Sequence, residues 1–208
     1  MVVVDTLPKG RRTREAVLSR GVELACRVGL GGLTIGSLAD EVGMSKSGMY
    51  AHFGSKVALQ LAVLDAAAEE FAGTVVVPAL RAPRGEPRVR ALADLWIRCG
   101  IERRPGGCLF VKASTELDEQ AGPVRDRLRD QHRRLADSIA RIVAGGVTEG
   151  QFHPDTDTTQ FATDLHGVML GLYHGHRLLE DPAAERHART AVDRLLAAAR
   201  SSPPAGTA

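Results

Sequence analysis

The stretch from Thr34 to Lys56, TIGSLADEVGMSKSGMYAHFGSK, starts and stops two helices in quick succession. Thr34 is a capping residue. Behind it Ile35, Leu38, Ala39 and Val42 fall at i, i+3, i+4 and i+7, which is one apolar helix face. Gly43 ends that helix, Met44 is the apolar residue of the turn, and Ser45 caps a second short helix to about Phe53. Met49 and Phe53, four apart, point together at the first helix. Two short helices around a glycine turn, with a third packed behind, form a helix-turn-helix. The third is expected from a cap at Thr13 to about Cys26 or Val28, with Ala16, Val17, Leu24 and Val28 among its apolar residues. Gly29, Gly31 and Gly32 read as its stop and turn rather than as a phosphate cradle, because no strand precedes them and no Lys-Ser/Thr signature follows.

Helical signals continue through the rest of the chain. Alternating apolar runs are missing, and TVVVP at 74–78 is closed by proline. Lys56 opens a helix to about Ala72 carrying Leu59, Val63 and Leu64. The proline- and arginine-rich PALRAPRGEPR separates it from a helix over 87–102 that holds Trp96, and RRPGG at 103–107 breaks that helix before another from about Cys108 to Leu117. Three further helices are expected over 122–145, 157–180 and 183–200. The fold class is therefore all-α: an N-terminal three-helix helix-turn-helix domain and a larger C-terminal helical domain. The expected boundaries are a flexible basic arm over 1–12, the helix-turn-helix over 13–58, the helical domain over 59–200 and a disordered tail over 201–208.

Composition excludes several classes. With 44% hydrophobic and 25% charged residues the chain is neither fibrous nor intrinsically disordered. No apolar run is long enough to span a bilayer, and MVVVDTLPKGRR lacks the order and cleavage site of a secretory signal, so a cytoplasmic location is expected. Cys26, Cys99 and Cys108 are odd in number and have no CxxC spacing, which argues against a disulfide framework and a zinc site; buried thiols are the expectation, with a redox sensor as the alternative. Residues 1–60 carry 8 Lys and Arg against 5 Asp and Glu, so the basic excess sits at the front.

That front segment also holds the chain's most distinctive polar face. Phosphate oxygens are acceptors, so a protein that docks on a duplex needs a row of donors, and Ser45, Lys46, Ser47, Tyr50, His52 and Lys56 supply one. In a helix-turn-helix the second helix enters the major groove with its N-terminal residues nearest the bases. Lys46, Ser47 and Gly48 lie there, and the missing side chain at Gly48 lets the backbone come close. A merely solvated helix face is the alternative reading of the same periodicity.

Residues 17–64 resemble the N-terminal DNA-binding region of the TetR family of bacterial transcription regulators. Gly29, Thr34, Ala39, Gly43, Ser45, Tyr50, His52, Phe53, Lys56 and Leu59 carry the resemblance in order and spacing. It implies that Tyr50, His52 and Lys56 hold the DNA backbone, that Thr34 caps the helix resting on it, and that Lys46, Ser47 and Gly48 lie nearest base edges. Gly36 and Ser37 depart from the pattern, standing where many members have a basic and an acidic residue, and Gly48 replaces the common Thr or Ser. The resemblance further implies a homodimer formed through the last two long helices and a small-molecule effector held among the middle helices. Trp96, Cys99, Phe110, Met169 and Tyr173 are the candidate lining of that pocket, with plain core as the alternative.

Gly167, Gly171 and Gly175 recur every four residues, at a helix-propensity cost of about 1 kcal/mol each relative to alanine, and close approach of another helix would compensate for it. Spacing leaves open whether that helix belongs to the same chain or to a second copy; the resemblance favours a second copy, which makes the three glycines the candidate dimer seam. His166, His174 and His176 do not converge on a metal: residues eight apart on a helix project about 80° apart, and residues two apart about 160°. No Ser, His and Asp constellation assembles, so neither catalytic nor metal-binding residues are expected, and no cofactor. Two functional readings follow. One is a sequence-specific DNA-binding regulator, acting as a repressor released from a palindromic operator by an effector. The other is a helical small-molecule-binding protein or enzyme that retains an unused helix-turn-helix.

Overall fold

The computed structural model describes residues 9–102 and 106–200. Ten α-helices occur among them: α1 (Lys9–Gly32), α2 (Ile35–Val42), α3 (Lys46–Phe53), α4 (Lys56–Phe71), α5 (Val77–Ala79), α6 (Glu86–Glu102), α7 (Leu109–Glu116), α8 (Pro123–Thr148), α9 (Thr158–Arg177) and α10 (Ala184–Ala199). A π-helical turn, Ala72–Val76, joins α4 to α5, so the TVVVP run is helical, and Pro78, which has no N–H to donate, closely follows that π turn. Among the described residues there is no strand, only one isolated bridge between Phe152 and Arg200.

Two expectations about the front of the chain change. Helix α1 begins at Lys9, so residues 9–12 are helical rather than an arm and Thr13 lies inside the helix rather than capping it. At its other end α1 runs to Gly32, interrupted at Gly29, where φ 79 and ψ 170 put a kink that only glycine adopts readily. The remaining residues of the expected arm, 1–8, and the whole of the expected tail, 201–208, lie outside the described residues.

The chain divides into two compact units. The first runs to Glu69 and adds Leu109–Leu128, extending past the boundary expected at residue 58 because Leu59, Val63, Leu64 and Ala67 of α4 are buried in the same core as Leu30, Leu33, Leu38, Met49 and Phe53. From α7, Leu109 and Ala113 complete that core. The second unit comprises Glu70–Cys108 and the chain from Arg129 on. Its core gathers Trp96 and Ile97 of α6, Val143 of α8, Leu165 and Met169 of α9, and Val192 and Leu196 of α10, together with Phe152. Each such large apolar side chain, fully buried, contributes about 1.5–3 kcal/mol. Across the start of α6 and the end of α10, Glu86 accepts two bonds from Arg200, at 2.6 and 2.8 Å, and the Arg200 guanidinium beside it holds its carboxyl below the usual range.

Candidate nucleic-acid interface

The helix-turn-helix is assembled from local caps. Thr34 Oγ1 accepts the Ser37 N–H at 2.9 Å while Ser37 Oγ accepts the Thr34 N–H at 2.9 Å, so the departure from an acidic residue at position 37 leaves a complete capping box. Gly43, at φ 68, ends α2 in the left-handed conformation and donates its N–H to the Ala39 carbonyl. Ser45 then starts α3, its Oγ accepting the Gly48 N–H at 3.1 Å and lying 3.2 Å from Ser47 Oγ.

Helix α3 has one inward and one outward side. Met49 is fully buried and Phe53 is 6% exposed, both in the first unit's core. Ser45, Lys46, Ser47 and Lys56 are exposed, Tyr50 is 55% exposed, and Thr34, Gly48 and His52 are half-buried. Every side chain of the expected donor row therefore reaches the surface at least in part. Lys46 crosses α2: a Cβ placed on Gly36 would meet its Cε at 3.5 Å, so the Lys46 stem covers the ground from which a longer residue 36 would project. Lys56, opening α4, donates from Nζ to the Gly31 carbonyl at 2.7 Å, which leaves the ammonium at the corner between α1 and α2 with two further donors.

Several residues that hold this face were not legible in the sequence. Arg14 of α1 donates to the His52 carbonyl at 2.7 Å and lies 4.6 Å over the Phe53 ring, tying α1 to the C-terminal end of α3. Gln60 of α4 donates to the Leu30 carbonyl at 2.6 Å. From α7, Lys112 and Glu116 reach the kink of α1.

The candidate effector residues divide between the units. Trp96, Met169 and Tyr173 are buried and Cys99 is half-buried, all on α6 and α9 of the second unit. Phe110 packs against the first unit's core instead. Trp96 has Phe71 edge-on at 5.4 Å and His166 edge-on at 5.8 Å, and His132 of α8 stacks on His166 at 5.3 Å and 21°. Burial pushes the His166 pKa below its ordinary value of 6.5, favouring the neutral ring. His166 thus belongs to a ring cluster, while His174 is exposed. No group of three or more candidate metal ligands converges among the described residues.

The glycine stripe on α9 is not uniform. A Cβ on Gly167 or Gly171 would meet open space, whereas one on Gly175 would lie 3.2 Å from Ala184 Cβ, so Gly175 serves the approach of α9 to α10 within the chain. Gly171 and Gly175 border a shallow groove of about 270 Å³ between α9 and α10, with Val168, Leu172, Ala188 and Ala191 on its walls. Leu170, Leu178 and Leu179 are exposed on or just beyond α9.

Two family models match the chain: "Bacterial regulatory proteins, tetR family" over residues 17–63, and "Tetracyclin repressor-like, C-terminal domain" over residues 85–192. The HTH-type transcriptional repressor ComR of Escherichia coli strain K12 is 23% identical over 163 residues, covering 76% of this chain and 77% of ComR. Among solved structures, a TetR transcriptional regulator from Chloroflexus aurantiacus superposes with a TM-score of 0.80 at 27% identity, covering 92% of this chain and 96% of the other. AibR, solved with isovaleryl coenzyme A and operator DNA, superposes with a TM-score of 0.70 at 21% identity, covering 88% and 98%. With the C-terminal match alone spanning more than half of the residues and the N-terminal match lying on the helix-turn-helix, the chain belongs to the TetR family of transcriptional regulators.

Proposed function

We propose that this regulator is a repressor that grips a palindromic operator as a homodimer and lets go when a small molecule binds its C-terminal helices. The observation that carries the DNA contact is the division of α3 into an inward side, Met49 and Phe53, and an outward donor row. In this reading Lys46, Ser47 and Gly48 approach base edges, Ser45, Tyr50, His52 and Lys56 hold phosphates, and Thr34 presents the N-terminus of α2 to the backbone. The match to ComR, described as a repressor, favours repression, and AibR is a relative in fold crystallised on its operator.

One helix-turn-helix reads only a few base pairs, so specificity calls for two heads on a two-fold axis. The exposed Gly167, Leu170 and Gly171 on α9 and the groove bordering α10 supply the surface for a second copy. Effector release requires two arrangements with different affinities for the small molecule. The Trp96, Cys99, Met169 and Tyr173 neighbourhood is the proposed seat of that molecule, and a chromosomal operator puts the protein in the cytoplasm. Selection of duplexes from a random pool by the purified protein tests the proposal. Enrichment of an inverted repeat supports it, and recovery of no preferred sequence contradicts it.

A further inference from the structure

We infer that Glu116 and Lys112 of α7 are positioning residues for DNA binding, acting through the kink of α1. In an unbroken helix the N–H groups of Leu30 and Gly31 would donate to the carbonyls of Cys26 and Arg27. With Gly29 at φ 79 and ψ 170 the helix is interrupted there, and α7 meets all four groups. The Glu116 carboxylate accepts the Leu30 N–H at 2.8 Å and the Gly31 N–H with its other oxygen. The Lys112 ammonium donates to the Cys26 carbonyl at 2.6 Å and the Arg27 carbonyl at 3.1 Å. Lys112 and Glu116 are four apart, so one face of one short helix replaces two missing backbone bonds with four charge-assisted ones.

The corner that they hold is the one that aims the reading head. Leu33 is fully buried three residues beyond Leu30, and Thr34 follows as the cap of α2. The same corner is gripped from α4, by Gln60 on the Leu30 carbonyl and Lys56 on the Gly31 carbonyl. A Cβ on Gly29 would lie 2.8 Å from Glu116 Oε2, and one on Gly31 would also meet that carboxylate, so a side chain at either position would push Glu116 off the kink. A carboxylate 86 residues downstream in sequence therefore sets where α2, and with it α3, leaves α1.

The inference rests on DNA binding through α3, and its test keeps the two apart. Wild-type protein first enriches a duplex from a random pool; the dissociation constants of wild type, Glu116→Ala and Glu116→Gln for that duplex are then measured far below each melting midpoint, with active fractions fixed by stoichiometric titration. Amide hydrogen exchange of residues 29–34 is followed in parallel. The expected result is faster exchange at Leu30 and Gly31 with binding weakened about tenfold or more in Glu116→Ala, and less in Glu116→Gln, which keeps one acceptor oxygen. Because the active fraction is measured, simple loss of folded protein does not mimic a change in the dissociation constant. Unchanged exchange at Leu30 and Gly31, or faster exchange with unchanged affinity, overturns the inference while leaving the proposed function standing. Failure of the wild type to enrich any duplex overturns both.

Discussion

The Arg14 guanidinium donates to the His52 carbonyl at 2.7 Å and at the same time covers the Phe53 ring at 4.6 Å. One side chain of α1 thereby satisfies a carbonyl in the last turn of α3, favours the negative end of that helix's dipole, and seals the residue that anchors α3 in the core. Arg14→Ala is expected to lose about 1–2 kcal/mol of stability, read by urea denaturation with circular dichroism, and to weaken DNA binding alike on preferred and scrambled duplexes. Arg14→Lys retains the charge but not the planar donor fork, and recovers only part of both.

The two caps of the helix-turn-helix should behave alike and differ in repair. Thr34→Ala and Ser45→Ala are each expected to cost about 1 kcal/mol. Ser37→Glu places the commoner box partner at the third position of α2 and leaves stability near that of the wild type. Denaturation midpoints of the three variants check this.

Gly36 offers a prediction about base preference. Lys46 crosses α2 over this residue, and an alanine Cβ 3.5 Å from its Cε is ordinary contact. Gly36→Ala should therefore leave the selected sequence unchanged, whereas Gly36→Arg displaces the Lys46 stem and alters which base pairs are enriched at one or two positions of each half-site. Sequencing of duplexes selected by the two variants distinguishes them.

His166 gives the second unit a pH dependence. Its folded pKa lies below the ordinary value of 6.5 because burial disfavours the charged ring, and a second imidazole, His132, stacks on it. The unfolded chain therefore takes up the proton first as pH falls. The stability associated with the neutral ring is fully present above about pH 6.5 and is lost as pH drops from there through the folded pKa. His166→Phe removes that part of the slope, which thermal melts between pH 5 and 7.5 detect as a flatter profile.

What was legible in the sequence is what the chain decides locally. Thr34, Gly43 and Ser45 act on neighbours within a turn, so the positions of α2 and α3 follow from residue type and spacing. The far end of α1 is different. Its continuation past Gly29 to Gly32 depends on Lys112 and Glu116, whose partnership with it no periodicity announces. Its extension back to Lys9 was not marked by Thr13, which resembles a cap from its type but lies inside the helix. Phe110 looked like a companion of Trp96 because both are aromatic and lie on neighbouring helices, yet α7 is recruited to the first unit's core. His132, which shares a ring cluster with His166, sits amid the arginines of α8, where nothing in the spacing sets it apart.

The donor face of α3 is the centre of the account, and the binding of its variants as a function of salt tests it most directly. Fluorescence anisotropy on the selected duplex and a scrambled one should show log affinity falling linearly with log salt for the wild type. Tyr50→Ala should weaken binding to both duplexes and Lys56→Ala should also lower the salt slope by about 1, while Lys46→Ala and Ser47→Ala change the preference between the duplexes. Affinity and preference left intact in all four variants would contradict the account.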